Sequence, residues 1–460
     1  MITQLHCKNF KVWRDTGAIR LAPLTVLFGS NSAGKTSIPQ LLLLLKQTAE
    51  SPDRHRALQF GDSRSLVDLG SYDEAIHNHD VSQQLEIALT WTLDDALQVR
   101  DPLTEAPYDG GAIEFAVAFS AGKQHQPLVE SFTYRLLNRA EAALTVGMDR
   151  QENGDRYKLS AESYKPVRQP GRPWPLSQPG RFYGFPNEAT AYYQNMDFLS
   201  DLELRLEYLL RSVYYVGPLR EHPKRLYFWS GEVPDHVGVR GDRAIEAILA
   251  AGDRRFNFGP KQWTSSLGEL VAARLRAMGL IHGFEVRSLG EHRKEYEVWV
   301  QTGRRLPMVK LTDVGFGISQ VLPVIVECFY VPRRSIVIFE QPEIHLHPSV
   351  QAELADLFVD AIRARERGVA RECQFIVESH SEHFLRRLQR RIAEEAIDRD
   401  AAALYFVDTE RDGAVIHELD VDAYGNILNW PEGFFGDEMG DMVARSEAQA
   451  RRMQQASNGG

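Results

Sequence analysis

Residues 24–46 read LTVLFGSNSAGKTSIPQLLLLLK, an apolar run followed by a glycine-framed loop and a leucine-rich segment. Four residues of this stretch fill the P-loop pattern G-x-x-x-x-G-K-[ST], namely Gly29, Gly34, Lys35 and Thr36. The apolar run over residues 24–28 predicts a buried strand, and the sequence from Thr36 onward predicts a helix. Because a phosphate-binding turn lies between such a strand and such a helix, the sequence predicts a phosphate site here.

The P-loop pattern gives an expected role to each polar group of the turn. The backbone N–H groups of residues 32–36 are expected to face the phosphates, and the helix N-terminus adds a fixed positive field. Lys35 is expected to reach the β- and γ-phosphates, and Thr36 to offer its hydroxyl to Mg²⁺. The expected ligands are therefore ATP and Mg²⁺, and the expected nucleotide contacts are Gly29, Asn31, Ser32, Ala33, Gly34, Lys35, Thr36 and Ser37.

The composition is that of a globular protein of two to three domains, with 460 residues, 43% of them hydrophobic and 25% charged. The net charge of −10 argues against binding of nucleic acid by bulk charge, but it leaves a local basic groove open. The spacing of the three cysteines, Cys7, Cys328 and Cys373, suggests neither a disulfide framework nor a zinc site, so we expect the cytoplasm. The apolar runs are too short to span a bilayer and the N-terminus has no signal-peptide core, so no membrane contact is expected.

The middle of the chain is less specific. Residues 85–160 contain a succession of strand candidates, typical of a β-rich insertion. Residues 163–186 are rich in proline and predict either a contact with a partner or a nucleic acid by stacking and charge, or an exposed connecting loop. Residues 212–216 look like a buried strand, and the loop after them carries Arg220. This arginine is either a phosphate or interface residue or an ordinary loop arginine.

A P-loop needs a second acidic residue for Mg²⁺ at the end of a neighbouring buried strand. The apolar, β-branched run over residues 335–339 is followed by Glu340, which we predict to be this residue. Glu340 lies much farther from the P-loop along the chain than a compact domain of about 150 residues requires. The nucleotide-binding domain is therefore expected to be split by an insertion.

Two further segments make the chain resemble the ABC-type ATPase heads of the SMC, RecF and OLD group. Residues 311–320, LTDVGFGISQ, resemble the signature segment of that group, whose small residues open a helix onto the γ-phosphate held by the opposite subunit. The resemblance implies this role for Gly317, Ser319 and Gln320. After another apolar run at residues 374–377, His380 matches the switch histidine that contacts the γ-phosphate. The resemblance also implies a homodimer that sandwiches two ATP molecules, with a higher oligomer left open.

The C-terminal tail resembles a small domain of unknown function that follows such heads in many prokaryotic ATPases, and the motif WPEGFF at residues 430–435 is its recognisable core. The predicted fold is an α/β P-loop ATPase head of ABC type, split by a β-rich and helical insertion, with a small C-terminal extension. The predicted division of the chain is residues 1–95 and 301–410 for the two parts of the head, 96–300 for the insertion and 411–460 for the C-terminal domain and tail.

One position departs from the family pattern. The Mg²⁺-binding carboxylate is usually followed by a glutamate that polarises the attacking water, and here that position is Gln341. An amide can orient water but cannot accept its proton, so general-base help worth about 10²–10⁴-fold is missing at this position. Glu343 could substitute if the loop turns it inward; otherwise it is a carboxylate favoured by a helix N-terminus. The catalytic candidates are Glu340, Gln341, Glu343 and His380, and we expect slow hydrolysis.

Three other features have ordinary explanations. His345 and His347 lack a third metal ligand nearby and are expected in a loop that crosses the dimer interface. Asp420 and Asp422 form a D-x-D pattern after a strand, as in Toprim nucleases, but the tail motif follows too closely for such a domain. The arginines from residue 363 to 391 alternate with glutamates, which is typical of a solvated helix face.

The resemblance implies a dimeric molecular switch that ATP closes and hydrolysis reopens. Relatives of this type act in DNA repair, or as the sensing ATPase of prokaryotic antiviral systems beside a separate effector protein. The missing nuclease and the missing coiled coil favour the second role. Two alternatives stay open: a non-hydrolysing, ATP-locked scaffold that holds a toxin or nuclease, and a RecF-like repair ATPase that binds DNA.

Overall fold

The computed structural model describes residues 1–30, 32–151, 156–171, 175–259, 263–291, 293–411, 413–431, 445–446 and 448–449. Its strands, in chain order, are β1 (Ile2–Phe10), β2 (Trp13–Asp15), β3 (Ile19–Arg20), β4 (Leu24–Gly29), β5 (Leu85–Arg100), β6 (Pro107–Ala121), β7 (Pro127–Asn138), β8 (Glu141–Arg150), β9 (Tyr157–Glu162), β10 (Val213–Val216), β11 (Tyr227–Phe228), β12 (Phe256–Asn257), β13 (Gly283–Ser288), β14 (Glu295–Gln301), β15 (Val309–Lys310), β16 (Ile336–Glu340), β17 (Arg365–Glu366), β18 (Val369–Ala370), β19 (Gln374–Glu378), β20 (Ala402–Glu410) and β21 (Gly413–Glu418).

The helices are α1 (Ser37–Glu50), α2 (Tyr72–Ala75), α3 (Asn187–Ala191), α4 (Leu199–Arg211), α5 (Ala244–Ala250), α6 (Leu267–Ala277), α7 (Gly317–Tyr330), α8 (Pro348–Arg363) and α9 (Glu382–Ala393). Short 3₁₀ turns lie at His77–His79, Leu311–Asp313 and Arg399–Ala401. None of the helices in the described ranges is long and apolar enough to cross a membrane.

The sheet that carries the candidate site has six strands in the order β10-β16-β19-β4-β20-β21. The first five run parallel, and β21 is antiparallel to β20. Strands β16 and β19 are buried along their whole length and have apolar centres, as expected of strands covered on both faces. Because parallel strands end at one edge of a sheet, Gly29, Glu340 and Glu378 come to the same edge.

The core lies on both faces of this sheet, because successive side chains of a strand point to opposite sides. On one face, Leu27, Ile338 and Ile376 pack in a cluster that includes the leucines of α1. On the other face, Val26 and Phe339 pack in a cluster that includes residues of α5 to α9. Helix α1 is apolar and buried almost all round, which fixes the helix that begins directly after the P-loop.

The second sheet is antiparallel, in the order β2-β1-β5-β6-β7-β8-β9, with β3 also paired to β1. Strand β5 pairs directly with β1, so the strands predicted as an insertion extend the sheet of the N-terminal part. The predicted boundary at residue 95 falls within β5, and the one at residue 410 falls at the end of β20. The mixed α/β class is confirmed, whereas the division into four parts stays a proposal.

Two aromatic residues of the proline-rich segment belong to the core. Phe182 is fully buried and its ring centroid lies 5.9 Å from that of Phe115 on β6. Tyr183 is also buried, and its backbone carbonyl accepts a hydrogen bond from the Tyr134 hydroxyl at 3.1 Å. In the described part of this segment, these two rings are therefore not exposed for stacking on a partner.

Candidate functional site

The P-loop joins β4 to α1 as predicted, and its glycines are required by close packing. A Cβ atom on Gly29, whose φ is +142°, would lie 2.0 Å from the carbonyl oxygen of Val407 on β20. A Cβ atom on Gly34, whose φ is +104°, would lie 2.4 Å from the side chain of Val12. Larger residues at these two positions would displace the loop backbone from its neighbours. Asn31, one of the predicted contacts, lies outside the described residues.

Lys35 is the buried cation at the centre of the loop. Its Nζ donates to the backbone carbonyl oxygens of Gly29 at 3.0 Å and Ser30 at 2.6 Å. Burial lowers the pKa of Lys35, and the carboxylates of Glu378 and Glu343 oppose that change. Lys35 therefore interacts electrostatically with two acidic residues, Glu378 at the end of β19 and Glu343 in the segment after β16.

Glu378 is the acidic residue in direct contact with the P-loop. Its Oε1 accepts a hydrogen bond from the Thr36 hydroxyl at 3.1 Å, and its Oε2 has no partner among the described residues. Burial raises the pKa of Glu378, and Thr36 and Lys35 partly offset the effect. Sequence reasoning gave Glu378 no role, although it meets the criterion that selected Glu340, a carboxylate at the end of a buried strand.

Glu340 ends β16, which lies one strand farther from the P-loop than β19 does. Its carboxyl group is buried, and the nearby Tyr215 hydroxyl opposes the rise in its pKa. Burial first, and then repulsion from Glu378, raises the pKa of Glu340 to about 7. The Glu378 carboxylate beside the Thr36 hydroxyl and the Glu340 carboxyl group that it repels supply oxygen atoms that fit Mg²⁺, because a divalent cation would relieve the repulsion.

The segment after β16 turns Glu343 into the site. Glu343 is 7% exposed, and its Oε1 accepts a hydrogen bond from the backbone N–H of His380 at 2.7 Å. Its Oε2 has no partner among the described residues. Burial raises the pKa of Glu343, and hydrogen bonds from the 379–380 segment oppose the effect. The inward position required for Glu343 to replace Gln341 is therefore the one observed.

Gln341 and His380 connect the strand ends to each other and to the P-loop. Gln341 has a φ of 43°, a strained value for a residue with a side chain, and its backbone N–H donates to the Glu378 carbonyl at 2.9 Å. Burial and the nearby Lys35 lower the pKa of His380, while the Gly29 carbonyl opposes the change. A histidine with a lowered pKa is neutral at pH 7 and can donate a hydrogen bond without adding charge.

The predicted signature residues lie apart from the P-loop of the same chain. Gly317, Ser319 and Gln320 form the first turn of α7, and the described residues show no hydrogen bond or ion pair between this turn and the P-loop. The Ser319 hydroxyl donates to the Phe316 carbonyl at 2.7 Å, and the Gln320 side-chain nitrogen has no described partner. The exposed residues of the segment are Asp313, Gly315 and Phe316, whereas Ser319 and Gln320 are buried.

Arg220, left open by the sequence, reaches the end of β16 from the loop after β10. It is 4% exposed, and its Nη2 donates to the Glu340 carbonyl at 3.4 Å. Its Nε and Nη1 have no partner among the described residues. Burial lowers the pKa of Arg220 to about 10, and the nearby Glu343 opposes the change. Arg220 is thus a buried cation beside Glu343 with two free donors.

The remaining predicted features have structural explanations. His347 caps α8, because its Nδ1 accepts from the Ser349 backbone N–H at 3.3 Å. No cluster of three or more His, Cys, Asp or Glu side chains that could hold a metal ion occurs in the part of the chain that the structure describes. Asp422 accepts from the backbone N–H groups of Tyr424 and Asn426, both at 2.8 Å, so its carboxylate holds a turn.

The arginines of α9 are ion-paired rather than free. Arg387 and Arg391 both bind Asp356 of α8, and Arg390 binds Glu394 at 2.7 Å. These pairs neutralise the positive charge of the helix and lock α9 to α8. The described residues of α9 therefore do not form a basic surface for nucleic acid.

The comparisons with known structures give low overall similarity. An SMC head domain from Thermotoga maritima is 13% identical, with a TM-score of 0.41, over 91% of this chain and 99% of that chain. An SmcHead bound to the C-winged helix domain of ScpA is 13% identical, with a TM-score of 0.42, over 91% and 98%. An Smc head domain bound to the C-terminal domain of ScpA derived from Pyrococcus furiosus is 9% identical, with a TM-score of 0.39, over 91% and 96%. No curated protein matches the chain.

Two protein families match parts of the chain. A family described as protein of unknown function (DUF3696) matches residues 397–444, which confirms the expected C-terminal region. Most of its predicted motif, residues 432–435, lies outside the described residues. The AAA ATPase domain model matches residues 1–163 and 282–385, more than half of the chain. The chain therefore belongs to the AAA ATPase domain family.

Proposed function

We propose that this chain is a Mg²⁺-dependent ATPase whose reaction centre is the edge formed by the ends of β4, β16 and β19. The observation that carries the proposal is the convergence of Lys35, Thr36, Glu343 and Glu378 at that edge. Lys35 binds the β- and γ-phosphates, and the glycine-framed loop presents its backbone N–H groups to them. Thr36, Glu340 and Glu378 hold Mg²⁺, which neutralises phosphate charge when bound.

Glu343 is the proposed acceptor of the proton of the attacking water. Its Oε1 is held by the His380 N–H, while its Oε2 is unpartnered in the described structure and can receive that water. Gln341 supports the water without accepting its proton. His380 contacts the γ-phosphate from the adjacent strand end. In the related heads the proton acceptor stands at the position that Gln341 occupies here. Because Gln341 cannot accept a proton and Glu343 must do so instead, we propose that turnover is slow.

The functional unit is proposed to be a homodimer with ATP between the heads. Gly317, Ser319 and Gln320 have no hydrogen bond to the P-loop of their own chain within the described residues, which supports a role opposite a second copy. For Ser319 to reach a phosphate, its hydroxyl must leave the Phe316 carbonyl. ATP would then close the dimer, and hydrolysis would reopen it.

The proposed biological role is that of the sensing ATPase of a prokaryotic antiviral system, acting in the cytoplasm beside a separate effector protein. It rests on the resemblance to the SMC, RecF and OLD group. An ATP-locked scaffold that does not hydrolyse is the second candidate, and Gln341 is the observation that favours it. A DNA-repair role is less supported, because the arginines of α9 are neutralised by ion pairs.

The test is steady-state phosphate release with Mg²⁺ and ATP, beside ATP binding and the molar mass in solution. The variant Lys35→Ala is the blank, and Gln341→Glu tests the departure from the family pattern. We expect slow turnover above the blank, a faster Gln341→Glu variant and a dimer that forms with ATP. Turnover equal to the blank with ATP still bound would support the scaffold, and an unchanged Gln341→Glu rate would refute the explanation of slowness.

A further inference from the structure

A cavity of about 580 Å³ opens beside the P-loop at Ser32. Its walls come from the β1–β2 turn, from residues 77–83 and from the β20–β21 hairpin. The hairpin contributes residues 409–411 and 413–414, which belong to the range matched as a family of unknown function. The volume lies within the ~300–1,000 Å³ typical of small-molecule sites.

The hairpin is fixed in position relative to the phosphates. The backbone N–H of Ala414 donates to the Val12 carbonyl at 3.0 Å, and a Cβ atom on Gly34 would lie 3.4 Å from the Ala414 Cβ. At the end of β20, Val407 packs against Gly29 so closely that only glycine fits. The hairpin therefore touches both glycines that frame the P-loop, and its distance from a bound phosphate chain is set by the fold.

The cavity has the chemistry that a nucleoside requires. A nucleotide with its phosphates on the P-loop must extend its ribose and base away from α1, and the cavity begins at the loop residue Ser32. Exposed side chains of both signs line it, among them Arg14, Glu410 and Arg411. Such groups supply donors and acceptors for ribose hydroxyls and base edges.

We propose that the β20–β21 hairpin is a nucleoside-binding wall, in which Glu410 and Arg411 contact the ribose or base of the nucleotide held by the P-loop. The inference rests on the proposed function and adds a role for the C-terminal region. That region then completes the nucleotide site of the head in two ways. It supplies strand β20 beside β4, and its hairpin contacts the ribose or base, which the P-loop does not hold.

The experiment compares two ligands, ATP and inorganic tripolyphosphate, by calorimetric titration of the full chain with Mg²⁺. The test variant is Glu410→Ala/Arg411→Ala. The matched control is Arg399→Ala/Asp400→Ala, an exposed pair of one basic and one acidic residue just before the opposite end of β20. Both pairs are exposed, so neither change is expected to prevent folding, which thermal melts verify.

We expect the Glu410→Ala/Arg411→Ala variant to bind ATP about 10-fold more weakly, a loss of about 1.4 kcal/mol, with tripolyphosphate affinity unchanged. The control should bind both ligands as the wild type does. Three results would overturn the hairpin proposal. They are an unchanged ATP affinity in the test variant, an equal loss of affinity for ATP and tripolyphosphate, and the same loss of ATP affinity in the control variant. If the wild-type protein binds ATP no better than Lys35→Ala does, the proposed function fails, and the hairpin proposal fails with it.

Discussion

The ends of β16 and β19 carry similar chemistry but reach the P-loop differently. Each buried strand ends in a glutamate, Glu340 on β16 and Glu378 on β19. Glu378 accepts a hydrogen bond from the Thr36 hydroxyl, whereas the side chain of Glu340 makes no hydrogen bond to the P-loop among the described residues. The segment after β16 places Glu343 in the site. There the Glu343 carboxylate accepts a hydrogen bond from the backbone N–H of His380, in the segment after β19.

The difference follows from the order of the strands. Strand β19 lies directly beside β4, and β16 lies on the far side of β19. Neighbouring strands are about 4.8 Å apart, so the end of β19 is one spacing from the P-loop strand and the end of β16 is two. A side chain on β19 can therefore touch Thr36, whereas one on β16 acts through a cation or from a longer loop. We propose that β19 supplies the closer metal ligand and β16 the proton acceptor.

The largest effect should come from the proposed proton acceptor. In Glu343→Gln the carboxylate is replaced by an amide that cannot take a proton, so kcat should fall about 10²–10⁴-fold. ATP affinity should stay within about twofold, because Glu343 is not a proposed phosphate ligand. Phosphate release and ATP titration measure both, and the exposed Glu395→Gln is the control. Wild-type turnover in Glu343→Gln would show that Glu343 is not the proton acceptor.

The two strand-end glutamates should differ in their effect on Mg²⁺. Glu378→Gln should weaken Mg²⁺-dependent ATP binding about 100-fold, since it removes the carboxylate next to Thr36, and Glu340→Gln should weaken it about 10-fold. Mg²⁺ titrations at fixed ATP, with a fluorescent nucleotide, give the two values. A larger loss in Glu340→Gln than in Glu378→Gln would reverse the proposed order of the two ligands.

The sequence predicted what is local and missed what depends on strand order. The P-loop was predictable because strand, turn and helix are contiguous, and Gly29 and Gly34 are required by packing. The α/β class followed from apolar runs with acidic ends. The contact between Glu378 and Thr36 was not predictable, because nothing in residues 374–378 states that this strand enters the sheet between β16 and β4.

The burial of Arg220 also could not be predicted from the sequence. Its burial depends on β10 pairing with β16, which brings the loop after β10 over the end of β16. The sequence could state only that a loop after a buried strand is a common place for ligand contacts. The sequence likewise could not show that β20 and β21 form one hairpin, and the predicted boundary at residue 410 falls between these two strands. The pairing of β20 with β4 joins residues from opposite ends of the chain.

Arg220 allows a test of how Glu343 is held. Arg220 has two unpartnered donors, and its charge interacts with the nearby Glu343, so Arg220→Gln should lower kcat about 10-fold by weakening the placement of that carboxylate. The same change made in Glu343→Gln should have no further effect on kcat, because residues that act as one unit are not additive. Additive losses in the double variant would show that Arg220 acts independently of Glu343. Thermal melts of all four proteins separate this coupling from a loss of folding.

The smallest predicted effect is a pH dependence that we assign to Glu340 at the end of β16. The pKa of Glu340 is raised to about 7, so below pH 7 its carboxyl group carries a proton that Mg²⁺ must displace. Mg²⁺ affinity should therefore fall as the pH drops, by about fourfold between pH 8 and pH 6.5 for one such group. ATP itself also titrates, but equally in every variant, so Glu340→Gln is the matched comparison. Its Mg²⁺ affinity should be lower at pH 8 and should change less with pH. If the wild type and Glu340→Gln show the same pH dependence, the proton is held elsewhere, and the nearest buried carboxyl group in the site is Glu378 on β19.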